Sequence, residues 1–307
     1  MGKRIIFIHG RNFKPPKPAL STLWRTAVRH GIKRSYPAKL AAFDQARKTM
    51  AYYGDLSNRY LRSRGRRYRQ AADIDDRRRA LALLRQRQAH EFTRREYNRL
   101  PGSSPIKEFL ADVAGGPLNW LGLGERAVAS VAPDMREYWN PESQFGSDVR
   151  WPFTLALKTA MNSGDDILVV SHSLGTLIAW DTFWKFSYYG EYRPYRRRPV
   201  SLWVTLGSPL GNETVKDNLK GARATGGRRY PANIVRWHNI AAEDDFISHD
   251  QSIEDDFAGL QVHHARTKTV KDHRVYNLAV REGKSNPHSS VGYLIHPKLS
   301  ELIAAWL

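Results

Sequence analysis

The stretch DDILVVSHSLG, residues 165–175, constrains the fold more than any other part of the chain. Ile167 to Val170 are four successive apolar residues, mostly β-branched, which suits a strand and is too short a run for a helix. A strand apolar on both sides must be covered on both faces, and that is the situation of a parallel sheet between two layers of helices. RIIFIHG (4–10) and SLWVTLGSP (201–209) repeat the pattern: an apolar run that ends in Gly, Ser or Pro.

Between these runs the apolar spacing changes to three and four residues, which is helical. Leu20, Leu23, Trp24 and Val28 predict a helix over residues 18–32, and Leu177, Ile178 and Trp180 predict one directly after the quoted stretch. TMAYYGD (49–55), NIVRWHNIA (233–241) and HRVYNLAV (273–280) are further strand candidates, and VGYLIHPKLSELIAAWL (291–307) reads as one closing amphipathic helix. Alternation of this kind predicts an α/β fold: a mostly parallel central sheet with helices on both faces. The regularity lapses between residues 56 and 149, where strand signals vanish; Leu81, Leu84 and Phe92 form one helical stripe, Phe109, Leu110 and Val113 another. The expected organisation is therefore a core of residues 1–55 and 150–307 that carries a helical insertion. Within the insertion, GGPLNWLGLGE (115–125) has the composition of a flap.

Composition sets the outer limits. With 307 residues and 41% hydrophobic content the chain can bury a substantial core. No apolar run reaches the length of about 18 residues that a membrane span requires, so a cytoplasmic protein, at most peripheral to a membrane, is expected. Without cysteine there is no disulfide, thiolate metal site or thiol nucleophile. The formal charge is +19, and residues 59–99 hold fourteen arginines against five acids. Such a surface attracts anions. It is read first as a solvated basic helix, then as a site for an anionic lipid or protein surface; nucleic acid is disfavoured because no recognisable binding module accompanies the charge.

The chemistry starts from Ser173. In an open α/β sheet, functional groups gather at the carboxyl ends of the strands. Ser173 falls where the strand turns into the helix, with small residues two before and two after it, Ser171 and Gly175. SHSLG is thus a G-x-S-x-G elbow whose first glycine is replaced by serine. A plain helix N-cap is the simpler explanation of such a serine, and only its company separates the two. A serine nucleophile needs a base, and the base an orienting carboxylate. Both groups occur after later strands, in the order Ser, acid, His: AEDDFISHD offers Glu243, Asp244 and Asp245, and REGKSNPHSSVGY offers His288. His238, His263, His264 and His273 lie on or between earlier strands, His296 on the closing helix, and His172 packs beside the serine.

HG after the first strand, SHSLGT, LGSPLG, the acid loop and NPHSSVGY together resemble an α/β-hydrolase of the lipase and esterase branch over residues 1–55 and 150–307. By that resemblance Ser173 is the nucleophile, His288 the base and Asp245 the orienting acid, with Asp244 as runner-up. The oxyanion hole is the backbone N–H of Leu174 with that of Arg11. His9, Phe13, His172, Trp120 and Leu121 are the implied substrate lining, with Leu123, Tyr52 and Phe109 behind them. The implied substrate is a small-molecule or lipid ester with an apolar acyl chain. Two other activities fit the same residues: acyl transfer, and a catalytically silent scaffold that binds an anionic partner through its arginines. No cofactor motif is present, and the cluster His249, Asp250, Asp255, Asp256, His263 and His264 lacks regular metal-ligand spacing.

Overall fold

The computed structural model describes residues 2–102, 133–248 and 253–307. Phe109, Leu110, Val113, Trp120, Leu121 and Leu123, with the rest of the expected flap, lie outside these residues, as do His249 and Asp250.

Six strands form one sheet in the order β2-β1-β3-β4-β5-β6: β1 (Lys3–Ile8), β2 (Arg47–Ala51), β3 (Asp166–His172), β4 (Leu202–Leu206), β5 (Arg236–Ala242) and β6 (Thr269–Val275). All five pairings are parallel. Successive residues of β1 enter opposite cores. Ile6 and Ile8 pack with Val149, Phe153 and Leu157 on one face, Ile5 and Phe7 with Trp24, Val28 and Leu294 on the other. The continuous apolar runs thus have the double cover they require.

In chain order the helices are α1 (Lys17–Ser35), α2 (Leu40–Gln45), α3 (Gly54–Ser63), α4 (Gln70–Arg85), α5 (Arg94–Tyr97), α6 (Pro133–Trp139), α7 (Phe145–Asn162) and α8 (Leu174–Tyr188). They are followed by α9 (Glu213–Asn218), α10 (Ile253–Asp256), α11 (Gly259–His263), α12 (Ser290–Ile295) and α13 (Pro297–Trp306). From β1 the chain passes by α1 to the edge strand β2, then through α3–α7 back to β3 on the other side of β1. The carboxyl ends of β1 and β3 therefore diverge at a topological switch point, where such sheets open a crevice. None of the described helices is long and apolar enough to cross a membrane.

Several elements differ from the sequence expectation. The last strand of the main sheet covers Thr269–Val275 and stops before NLAV, so it begins four residues earlier than the expected strand at 273–280 and has His273 near its end. This strand is at the sheet edge, and Lys271 to Arg274 are partly or fully exposed, which removes the apolar signature. Residues 280–285 form a short antiparallel hairpin, β7 (Val280–Arg281) with β8 (Lys284–Ser285). The closing segment is two helices, because His296 is extended (φ −64°, ψ 139°) ahead of Pro297, as a residue preceding proline prefers. Leu81 and Leu84 are buried on α4, whereas Phe92 follows a separate 3-10 turn and is off that stripe. The first part of the insertion joins the core: α4 packs on α1, α12 and the hairpin.

Candidate active site

Ser173 follows β3 directly and stands at φ 54°, ψ −129°, a backbone region costly for any residue with a Cβ. Its surroundings over-determine that conformation. Its N–H donates to the Leu206 carbonyl (3.0 Å), and its own carbonyl accepts from the Thr176 hydroxyl (2.7 Å). Gly175 allows the turn to close: a Cβ there would lie 2.6 Å from the His9 carbonyl oxygen and 2.8 Å from that of Ile8. Ser171, in the place of the elbow's first glycine, is fully buried within β3, where its hydroxyl accepts the Trp203 indole N–H (2.8 Å). That position therefore has room for a side chain.

His288 and Asp245 converge on the serine. His288 Nε2 is 3.0 Å from Ser173 Oγ, and His288 Nδ1 is 2.8 Å from Asp245 Oδ2 and 3.0 Å from Oδ1. Asp245 is 1% exposed and holds two further donors, the Tyr293 hydroxyl (2.6 Å) on Oδ2 and the Ile247 N–H (3.0 Å) on Oδ1. Burial and the adjacent carboxylate push the Tyr293 phenol well above its ordinary value, so it remains a donor. Gly207, from LGSPLG, has φ 52°, and a Cβ on it would lie 2.7 Å from Asp245 Oδ2 and 3.1 Å from His288 Nδ1. Asp244 borders the same cavity without bonding to His288.

His172 packs against His288. Burial, and then the neighbouring His288, push its imidazole well below the ordinary range and keep it neutral. Its Nε2 contacts the His288 carbonyl at 2.9 Å, and the two rings sit 4.7 Å apart. His9 is not on the cavity wall. It is completely buried, its Nε2 accepts the Tyr53 N–H (3.2 Å), and its Nδ1 faces the Gly10 carbonyl (2.9 Å). Burial, with Lys14 close by, lowers its pKa to about 3. Tyr52 is likewise turned away, its hydroxyl donating to the Pro15 carbonyl (2.9 Å). Phe13 does border the cavity, stacked on Tyr68 at 4.8 Å.

The loop after β1 runs beside the serine, since a Cβ on Gly10 would stand 2.7 Å from Ser173 Cβ. Arg11 is next along it, and Leu174 opens α8, whose first-turn N–H groups have no partner within the helix. Residues that sequence reasoning did not single out fix this loop. Arg11 Nε donates to Asp134 Oδ1 (3.1 Å), and Asn12 N–H to Asp134 Oδ2 (3.1 Å). Burial alone would raise the Asp134 carboxyl, but Arg11 and the Asn12 N–H outweigh it and hold it low. Asn58 exchanges two 2.8 Å hydrogen bonds with the Lys14 backbone. The Lys14 ammonium, only 8% exposed, donates to the carbonyls of Arg11, Asn12 and Phe13. Burial, then Arg77, lower its pKa to about 7.

The cavity over Ser173 measures about 370 Å³ and is bordered by the β1–α1 loop, the start of α4, the acid loop and the His288 loop. Among the described residues no group of three or more metal-ligating side chains comes together. Asp256 pairs with Lys216 (3.0 Å), and His264 Nε2 lies 3.0 Å from the Gly227 carbonyl. The chain matches no protein-family model and no curated protein.

Proposed function

We propose that the chain is a serine hydrolase that cleaves a carboxylic ester through an acyl-enzyme. The observation that carries this reading is a continuous line of hydrogen-bonding contacts: Ser173 Oγ to His288 Nε2 at 3.0 Å, and His288 Nδ1 to Asp245 at 2.8 Å, starting from a serine held at positive φ. A serine that only capped a helix would not need this company; here no side-chain capping bond accompanies α8. The motifs that resemble α/β-hydrolases supply the same three residues.

Ser173 Oγ attacks the ester carbonyl while His288 Nε2 takes its proton, and Asp245 holds Nδ1–H and the imidazolium that forms. The N–H groups of Leu174 and Arg11 receive the developing oxyanion. Collapse expels the alcohol with the proton from His288, and water, activated by the same histidine, then releases the acid. Replacement of that water by an alcohol or amine gives acyl transfer from the same intermediate.

The test is a fluorophosphonate probe with mass-spectrometric location of the adduct. Stoichiometric labelling of Ser173, absent in Ser173→Ala and reduced at least a hundredfold in rate in His288→Ala, is the expected result. A folded, unlabelled protein would replace this reading with that of a scaffold whose exposed arginines bind an anionic partner.

A further inference from the structure

Cationic side chains reach the Ser173 cavity from three places: Arg11 and Lys14 from the β1–α1 loop, Arg69 and Arg77 from the start of α4, and Arg281 from the hairpin. Four of them are engaged. Arg11 is on Asp134, Arg77 on Asp73 (2.9 Å), Arg281 on Asp73 (2.8 Å) and Asp76 (2.7 Å), and Lys14 on backbone carbonyls. Arg69 differs from the rest. It directly precedes α4, is exposed, and its guanidinium has no ion pair or hydrogen bond among the described residues.

The acids nearby do not answer it. Asp73 already accepts from Tyr68, Arg77 and Arg281, and Asp245 is committed to His288 and Tyr293. Asp244 and Glu282 come from the loops that carry the acid and the base, whereas Arg69 adjoins Tyr68, which stacks on Phe13. Lys14 also lacks a carboxylate on its ammonium and makes only backbone contacts there. A volume of about 370 Å³ is at the small end for a ligand site, which suits a compact substrate with a charged end.

We infer that the ester cleaved at Ser173 carries an anionic group, carboxylate or phosphate, and that Arg69 receives it. This inference rests on the hydrolase reading. The guanidinium is a planar fork matched to either oxyanion, and among the described residues an approaching anion need break no ion pair to reach it. Arg62 at the end of α3 and Arg64 and Arg67 on the connection are exposed and add to the long-range positive field of this region.

The experiment compares two activated esters of equal chain length on the full chain, p-nitrophenyl butyrate and the singly charged p-nitrophenyl succinate. The readout is the charged-to-neutral ratio of kcat/KM. A ratio above ten that falls at least tenfold in Arg69→Gln, is partly restored in Arg69→Lys, and is unchanged in Arg79→Gln supports the inference; Arg79 is exposed on α4 and does not border the cavity. A ratio near or below one, or one that Arg69→Gln leaves unmoved, overturns it. Parallel vesicle assays separate the sources of the anion. Arg69-dependent release of fatty acid from phosphatidylglycerol over phosphatidylcholine assigns a lipid headgroup, and preference for the succinate alone assigns a soluble acid. If Ser173 takes no fluorophosphonate and neither ester turns over, the hydrolase reading is what fails. Calorimetric titration of succinate and inorganic phosphate into Ser173→Ala then decides the anion site: Arg69-dependent binding keeps it, and no binding removes it.

Discussion

Acid should unfold this protein through its buried histidines, and His296 allows the effect to be isolated. The ring caps α13: Nδ1 accepts the Lys298 N–H at 3.0 Å. The proton of the neutral ring must therefore sit on Nε2, which has no partner among the described residues. Phe92 meets the ring edge-on at 5.0 Å, with the Arg34 guanidinium 4.8 Å over the Phe92 ring. Burial, then Arg34 and Lys298, bring the His296 pKa from 6.5 down to about 3. Because the folded value lies below the unfolded one, the unfolded chain takes up the proton first as pH falls. The stability is intact above 6.5 and is lost progressively between 6.5 and 3. From pH 7 to pH 4.5 the linkage relation gives a loss of about 2–3 kcal/mol from this one ring, a large part of the roughly 5–15 kcal/mol that holds a typical domain together.

His296→Asn retains a side-chain acceptor for the cap and cannot take a proton. Lost ring packing lowers its stability at pH 7 by about 1–2 kcal/mol, so the quantity to compare is the change with pH. Urea unfolding followed by tryptophan fluorescence at pH 7.0 and 4.5, at equal ionic strength, should show the variant losing about 2–3 kcal/mol less than the unaltered chain. His9, His172 and the general repulsion of a basic protein contribute to both chains and cancel in that difference. Equal losses in the two would refute the reasoning, because they would mean that His296 accepts a proton inside the fold at no cost.

Two further changes address the triad directly. Gly207→Ala forces a Cβ to within 2.7 Å of Asp245 Oδ2 at φ 52°, so kcat should fall about 100-fold, with the far-UV spectrum retained, in the ester assay. Tyr293→Phe removes the 2.6 Å donor to Asp245 and leaves the Ala242 N–H without its acceptor, a cost of about 1–3 kcal/mol. A lower melting temperature and a roughly tenfold lower kcat/KM are expected together, since one hydroxyl serves both the fold and the carboxylate.

The parts of the molecule legible in the sequence are those whose signal is local. The apolar runs at residues 5–8 and 167–170 become strands buried on both faces, and the order serine, acid, histidine is realised because each residue follows its own strand. Edge position blurred the bounds of β6, which the sequence places at 273–280 rather than 269–275, since a half-solvated strand with Lys271, Asp272 and Arg274 has no apolar run to read. A single proline divided the closing helix. His9 looked like lining because it precedes Gly10, but its ring faces inward to the Tyr53 backbone, a direction that spacing cannot supply.

What the sequence concealed most completely is the dependence of the site on the insertion. Asp134 of α6 and Asn58 of α3 hold the loop that carries Arg11, while Asp73 and Asp76 of α4 hold Arg281, and Asp76 also accepts the Glu282 N–H at 2.8 Å, just ahead of His288. Each contact spans 44 to 208 residues of chain and involves residue types that are ordinary on a solvated helix. Breaking one side of such a buried pair leaves the other charge uncompensated, at about 3–5 kcal/mol. The described part of the insertion therefore braces both the loop that carries Arg11 and the loop that carries His288, and the arginine-rich stretch has two physical roles. Arg77 is turned inward and paired, whereas Arg62, Arg64, Arg67 and Arg69 remain in solvent, Arg69 of these bordering the cavity. Two acids of that stretch, Asp73 and Asp76, are bound to Arg77 and Arg281, so the excess positive charge of residues 59–99 stays on exposed side chains, Arg69 at the cavity among them.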